Sequence, residues 1–108
     1  DARVADLTVA QVRELEAVTA LRGASTLRGA QLSALLDAMK IDRADVRAIE
    51  AIGADGYSAR LDAAQLDAAL VVYADGDAPL PDHQGPLRLL TESRASSVRN
   101  LRRLVLNP

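Results

Sequence analysis

The sequence contains no cysteine, which removes disulfides, thiolate metal sites and cysteine nucleophiles from consideration. It has one histidine, His83, so a metal site built from several imidazoles is excluded too. Phenylalanine and tryptophan are absent and tyrosine occurs twice; a platform of rings for stacking nucleic-acid bases cannot be assembled from that stock. No apolar run approaches the roughly 18 residues that a membrane helix needs. The net charge of −2 argues against non-specific nucleic-acid binding by the whole chain. What remains is the composition of a folded chain: 49% hydrophobic and 26% charged residues are too apolar for disorder, and residues 1–108 fit one domain.

The charge is unevenly placed. From residue 86 onward there are five arginines, Arg88, Arg94, Arg99, Arg102 and Arg103, against a single acid, Glu92. The preceding residues are acidic overall. A basic end on an acidic body either binds an anion or pairs with that body. The chain begins at Asp1 rather than Met, as after removal of a leader or trimming, and no signal peptide is visible.

Thr8 and Gln11 have the spacing of a capping box, which predicts a short helix to about Leu15. Ala17 to Leu21 reads as a strand, with a turn at Gly23 and Ser25. Gln31 to Lys40 is the best helix, because Leu32, Leu35, Leu36 and Met39 make one apolar stripe. Val46 to Ile52 and Tyr57 to Leu61 read as strands joined by the hairpin turn Ala54-Asp55-Gly56. Asp62 can cap a helix from Ala63 to about Ala68, with Gln65 three residues on. Strands follow at Leu70 to Tyr73, Leu87 to Thr91 and Val98 to Leu106, with a second Asp-Gly turn at 75–76 and an irregular loop over 78–86. After the first helix the order β-α-β-β-α-β-β-β predicts an α+β fold with short helices. The Asp-Gly hairpins make the mixed sheet largely antiparallel.

No enzyme signature stands out: there is no phosphate loop, no nucleophile elbow and no H-E-x-x-H. Asp75 and Asp77 read as solvated turn residues. His83, beside Asp82, is either a ligand contact or proton carrier, or a residue that bonds loop backbone. Arg88 interrupts the apolar strand Leu87-Arg88-Leu89-Leu90, so it lies on the polar face or reaches a buried anion or acid.

Several segments together resemble a known family. They are G53-A-D-G-Y-S58, L70-V-V-Y73, D75-G76, P79-L-P-D-H-Q-G-P-L-R88 and the closing S97-V-R-N-L-R-R-L-V105, with T26-L-R-G-A-Q-L-S-A-L-L36 upstream. In this order they resemble the oxidoreductase molybdopterin-binding domain, the fold of the sulfite oxidase family. The resemblance spans about residues 17 to 106. It implies that Arg88 falls on the family arginine at the cofactor side, His83 on the loop histidine and Arg99 on the basic position of the closing strand. Asp55 and Tyr57 match the family's turn. The departures are informative. Family enzymes hold molybdenum through a cysteine thiolate, which this sequence lacks, and the family's tryptophan in the closing strand is replaced by Asn100. A soft thiolate bond is not replaced by Ser or Asp without changing the metal chemistry.

The resulting expectation is a non-catalytic binding or sensing module, periplasmic or secreted, with a molybdopterin-binding-domain fold. Its ligand is a small anion or pterin-like molecule, or its partner is a protein. The ligand-binding set is Arg88, His83, Arg99, Arg94 and Tyr57, with no catalytic residue and no metal. Molybdopterin itself enters as a cofactor only through the resemblance. The alternatives are a component of a molybdenum-cofactor oxidoreductase, with a thiolate supplied from elsewhere, and a protein–protein interaction domain. No nucleic-acid partner and no membrane span are expected.

Overall fold

A computed structural model describes residues 3–92 and 97–107, and its helices start where the capping signals stand. The Thr8 hydroxyl accepts from the Gln11 N–H at 3.3 Å, and the Gln11 side chain accepts from the Thr8 N–H at 2.9 Å, opening α1 (Val9–Arg13). The apolar stripe forms α2 (Leu32–Ala38): Leu32, Leu35 and Leu36 are buried, and Met39 packs against the same core from a half-buried position. Lys40, at φ +59°, ends that run. Asp62 and Gln65 form a second reciprocal cap at the head of α3 (Ala63–Leu66).

The described residues form the strands β1 (Arg3–Asp6), β2 (Val18–Arg22), β3 (Ser25–Gln31), β4 (Ala48–Gly53), β5 (Ser58–Asp62), β6 (Leu70–Asp75), β7 (Ala78–Pro79), β8 (Arg88–Leu90) and β9 (Leu101–Leu106). They form two sheets. One has the order β1-β9-β4-β5; the other has β2-β3-β6-β7, with β8 also paired to β6. The described pairings are antiparallel throughout. The fold is thus the α+β, antiparallel, short-helix arrangement that the turns predict, divided between two sheets.

The main core joins Ile49, Leu61, Leu104 and Leu106 of the first sheet to the helices and to Val71, Tyr73 and Leu89 of the second. A smaller cluster of Leu27, Val72, Leu80 and Leu90 covers the opposite face of the second sheet. β6 runs between them, so Val71 through Ala74 are all buried and the strand reads as continuously apolar.

The strand β1 has no counterpart in the sequence reading, and two local expectations are corrected. β1 is a strand although Arg3-Val4-Ala5-Asp6 carries no apolar alternation; its pairing with β9 imposes the conformation. The stretch between the turn expected at Gly23 and Ser25 and the helix expected from Gln31 is the strand β3. Its pattern is disguised by a register shift between Arg28 and Gly29, where β6 comes so close that a Cβ on Gly29 would stand 2.1 Å from the Val71 carbonyl oxygen. The closing strand is interrupted: Val98 makes an isolated bridge to Leu89, Asn100 turns at φ +53°, and β9 starts at Leu101.

Candidate functional site

Strand alternation decides where Arg88 points. Leu89 faces the main core and Leu90 the outer cluster, so Arg88 shares the outer face with Leu90, directly opposite Val72 of that same cluster. The next segment repeats the pattern. Val98 pairs with Leu89, donating at 3.0 Å and accepting at 2.8 Å, and enters the main core. Its neighbours Ser97 and Arg99 fall on Arg88's side. Behind Arg99 the backbone is pressed by β4: a Cβ on Gly53 would meet the Arg99 carbonyl oxygen at 2.7 Å. Asn100 tolerates the left-handed conformation that redirects the chain. Its N–H donates to the Gln84 carbonyl at 2.9 Å, and its carbonyl accepts from the Ala54 N–H at 2.9 Å.

A third arginine arrives from the other side of the sheet. Ala20 packs on the outer cluster, and Arg22, two residues on, lies on the same face at the end of the β2–β3 hairpin. Gly23, at φ +59°, supplies the turn, and Arg22 Nη1 donates to the Leu21 carbonyl at 3.0 Å. Together Arg22, Arg88 and Arg99 line a cleft of about 690 Å³ on a floor that includes Leu90. Glu92 and the hydroxyl residues Thr91 and Ser97 complete its wall; the Thr91 N–H donates to Ser97 Oγ at 3.2 Å.

The cleft is cationic and short of acid. Arg88 is half-buried; its Nη1 donates to Gln84 Oε1 at 3.1 Å, and its buried Nε has no hydrogen-bond partner among the described residues. Burial, followed by the nearby charges of Arg99 and Arg22, lowers the Arg88 pKa from its ordinary value. Among the described residues, the ion pairs are Arg43–Asp67 at 2.6 Å and Arg103–Asp6 at 2.7 Å, and neither involves a cleft arginine. The partly desolvated Arg88 guanidinium, without an acid partner among the described residues, suits an anion that accepts parallel hydrogen bonds.

The other expected site residues are placed as follows. His83 is exposed and does not line the cleft, but its Nε2 lies 3.3 Å from Gln84 Nε2. Gln84 therefore bridges His83 to Arg88. An amide NH2 donates, so this contact requires the His83 Nε2 to accept. Tyr57 lies on the β4–β5 hairpin, 49% exposed and outside the cleft, its N–H donating to Asp55 Oδ1 at 3.0 Å. Arg94 lies outside the described residues. Arg103 pairs with the acidic body, as the alternative for the basic segment anticipates. Sequence reasoning missed Arg22: it ends an apolar strand before a glycine turn, and nothing local links it to a segment so far along the chain.

The two-sheet α+β fold agrees with the comparison against protein families. The sequence model of the oxidoreductase molybdopterin binding domain matches residues 3–107 of the 108-residue chain. The chain belongs to this family, and its fold is of the sulfite oxidase type. Comparison with curated proteins returns no match.

The family's cofactor combines a metal with an anionic organic group, and the residues here fit the two unequally. Within these 108 residues there is no thiolate for molybdenum. Among the described residues no group of three or more His, Asp or Glu side chains could hold a metal ion. The donor set therefore does not fit the metal, and no redox step is assignable to this chain's own groups. The three arginines do fit an oxyanion.

Proposed function

We propose that this chain is a non-catalytic member of the molybdopterin-binding family that holds a small anionic, pterin-like ligand in the cleft beside Arg88. The observation that carries the reading is the state of Arg88: half-buried on an apolar cluster, with an unpartnered Nε and no acid paired to it or to Arg99 among the described residues. Arg43 Nε is buried without a partner as well, but Arg43 is paired with Asp67, whereas Arg88 has no carboxylate partner among the described residues; an unmet buried donor costs about 1–3 kcal/mol. An anion seated against Arg88 and Arg99 gives them the acidic partner that the described residues do not supply. Its chemistry is binding: guanidinium donors fix the anion's orientation, and the Leu90 floor takes an apolar or ring portion.

The test is calorimetric titration of the purified chain with a pterin phosphate at low ionic strength. Binding is expected, weakening as salt rises and falling about tenfold or more in Arg88→Gln. Undiminished affinity in that variant, with its fold intact, overturns the reading in favour of a protein-docking surface. Stoichiometric molybdenum in the native protein returns it to an oxidoreductase component.

A further inference from the structure

We infer that β2 is a self-association edge: two copies of this chain pair antiparallel along it about Thr19, continuing one sheet into the other. β2 stands at the end of its sheet, so among the described residues it pairs on one side only. The register with β3 fixes which backbone groups face the open side. The Thr26 carbonyl accepts from the Gly76 N–H at 2.8 Å, and the Thr26 N–H donates to Asp75 Oδ1 at 3.2 Å, so Thr26 bonds towards β6. Its neighbours Ser25 and Leu27 therefore bond towards β2, where they stand opposite Arg22 and Ala20. Thr19 and Leu21 are left with their N–H and C=O groups on the open edge. Arg22 Nη1 already donates to the Leu21 carbonyl at 3.0 Å, which shows that carbonyl turned outward. No proline or lysine blunts residues 16–22.

Charge and bonding parity select the occupant. The segment Glu16-Ala17-Val18-Thr19-Ala20-Leu21-Arg22 carries opposite charges at equal distances from Thr19. With Thr19 opposite Thr19 of a second copy, Leu21 faces Ala17 and Glu16 faces Arg22, each contact occurring twice by symmetry. Glu16 and Ala17 precede β2 and join the ladder as the pairing lengthens it. This register sets outward-bonding residues against each other, as an antiparallel ladder requires. It places each Glu16–Arg22 pair at a non-hydrogen-bonded position, where side chains approach most closely. Glu16 and Arg22 are exposed and have no ion-pair partner among the described residues, and Leu21 is 71% exposed. β1, at the edge of the other sheet, lacks this match. Arg3 and Asp6 lie an odd number of positions apart, so pairing them between copies opposes an outward-bonding residue to an inward one. Asp6 is moreover held by Arg103.

Sedimentation equilibrium of the full chain over a concentration series at low salt tests this. A monomer–dimer equilibrium is expected, weakening as salt rises. Thr19→Pro removes the central outward N–H. An edge strand tolerates a proline on its open side, so the dimer is lost while the melting temperature of the dilute monomer is unchanged. Glu16→Arg opposes like charges and is expected to weaken association about tenfold or more; Arg22→Glu does the same. Combining Glu16→Arg with Arg22→Glu exchanges the signs and restores association. These two changes alter exposed side chains, so they decide the matter even if the proline variant fails to fold. A chain that stays monomeric to millimolar concentration overturns the inference. So does a dimer that Glu16→Arg leaves unchanged, or one that the combined variant fails to restore.

Discussion

At the scale of single residues, the glycines say most about how the site is held. Gly53 is buried where the first sheet presses on the segment that carries Arg99. A methyl group there would lie 2.7 Å from the Arg99 carbonyl oxygen and 3.3 Å from Val98 Cγ1. Backbone cannot yield as a flexible side chain does. Gly53→Ala is therefore expected to cost about 1–3 kcal/mol in urea unfolding and to weaken anion binding by displacing Arg99. A variant with full stability and unchanged affinity would show that Arg99's position does not depend on this contact. Arg88 was legible as an anomaly in the sequence because an arginine inside Leu87-Arg88-Leu89-Leu90 demands an explanation. Arg22 was not, because an arginine at the end of an exposed strand is ordinary until the pairing of β2, β3, β6 and β8 is known. Tyr57 was named for its place in a motif, and His83 for its neighbour Asp82 as well; neither signal carries information about which way a side chain faces across a two-sheet fold.

At the scale of elements, capping chemistry and apolar stripes carried the prediction. Both capping boxes form with the bonds that their spacing implies, because a cap is satisfied within four residues and needs no tertiary partner. The same locality makes α3 testable: it is only four residues long, so Asp62→Ala is expected to cost about 0.5–2 kcal/mol. Retention of full stability would mean that packing of Leu66 alone fixes the turn. α2 depends on its buried face instead. Leu35, 1% exposed, sits in the main core, and Leu35→Ala should cost about 2–5 kcal/mol; a smaller loss in chemical denaturation would indicate that neighbours collapse into the space. β1 and β3 escaped the sequence reading for the opposite reason. Their conformation is set by partners far along the chain, β9 for one and β6 for the other. The glycine that permits the close approach of β3 to β6 weakens the very alternation by which a strand is recognised.

At the scale of the whole molecule, the two ends of the described chain are joined by β1–β9 pairing, with Asp6 opposite Arg103 in register. Their side chains meet at 2.7 Å. The hydrogen bond from Arg103 and then its charge hold the Asp6 carboxyl below the ordinary value of 3.8, and the same partner raises Arg103. A depressed carboxyl pKa contributes stability that is present above the ordinary value and is lost as pH falls from there through the folded-state value. Asp6→Asn is thus expected to lower the melting temperature near neutral pH and to make no difference in strong acid. Both side chains are well exposed, so added salt should shrink the effect at neutral pH as well. A deficit in Asp6→Asn that persists unchanged into acid would mean that the aspartate acts on β1 through something other than its charge.

Arg22, Arg88 and Arg99 belong to three segments that only the folded chain brings to one cleft. Unfolding disperses those charges and dissolves the proposed anion site along with the sheet beneath it. An oxyanion that binds there therefore acts as a folding ligand, adding by mass action about 2.7 kcal/mol at a hundredfold excess over its Kd. Solvent composition thus becomes part of the protein's apparent thermodynamics. A chain refolded or melted in phosphate buffer should appear sturdier than the same chain in Tris at equal pH and ionic strength, and the difference should vanish in Arg88→Gln.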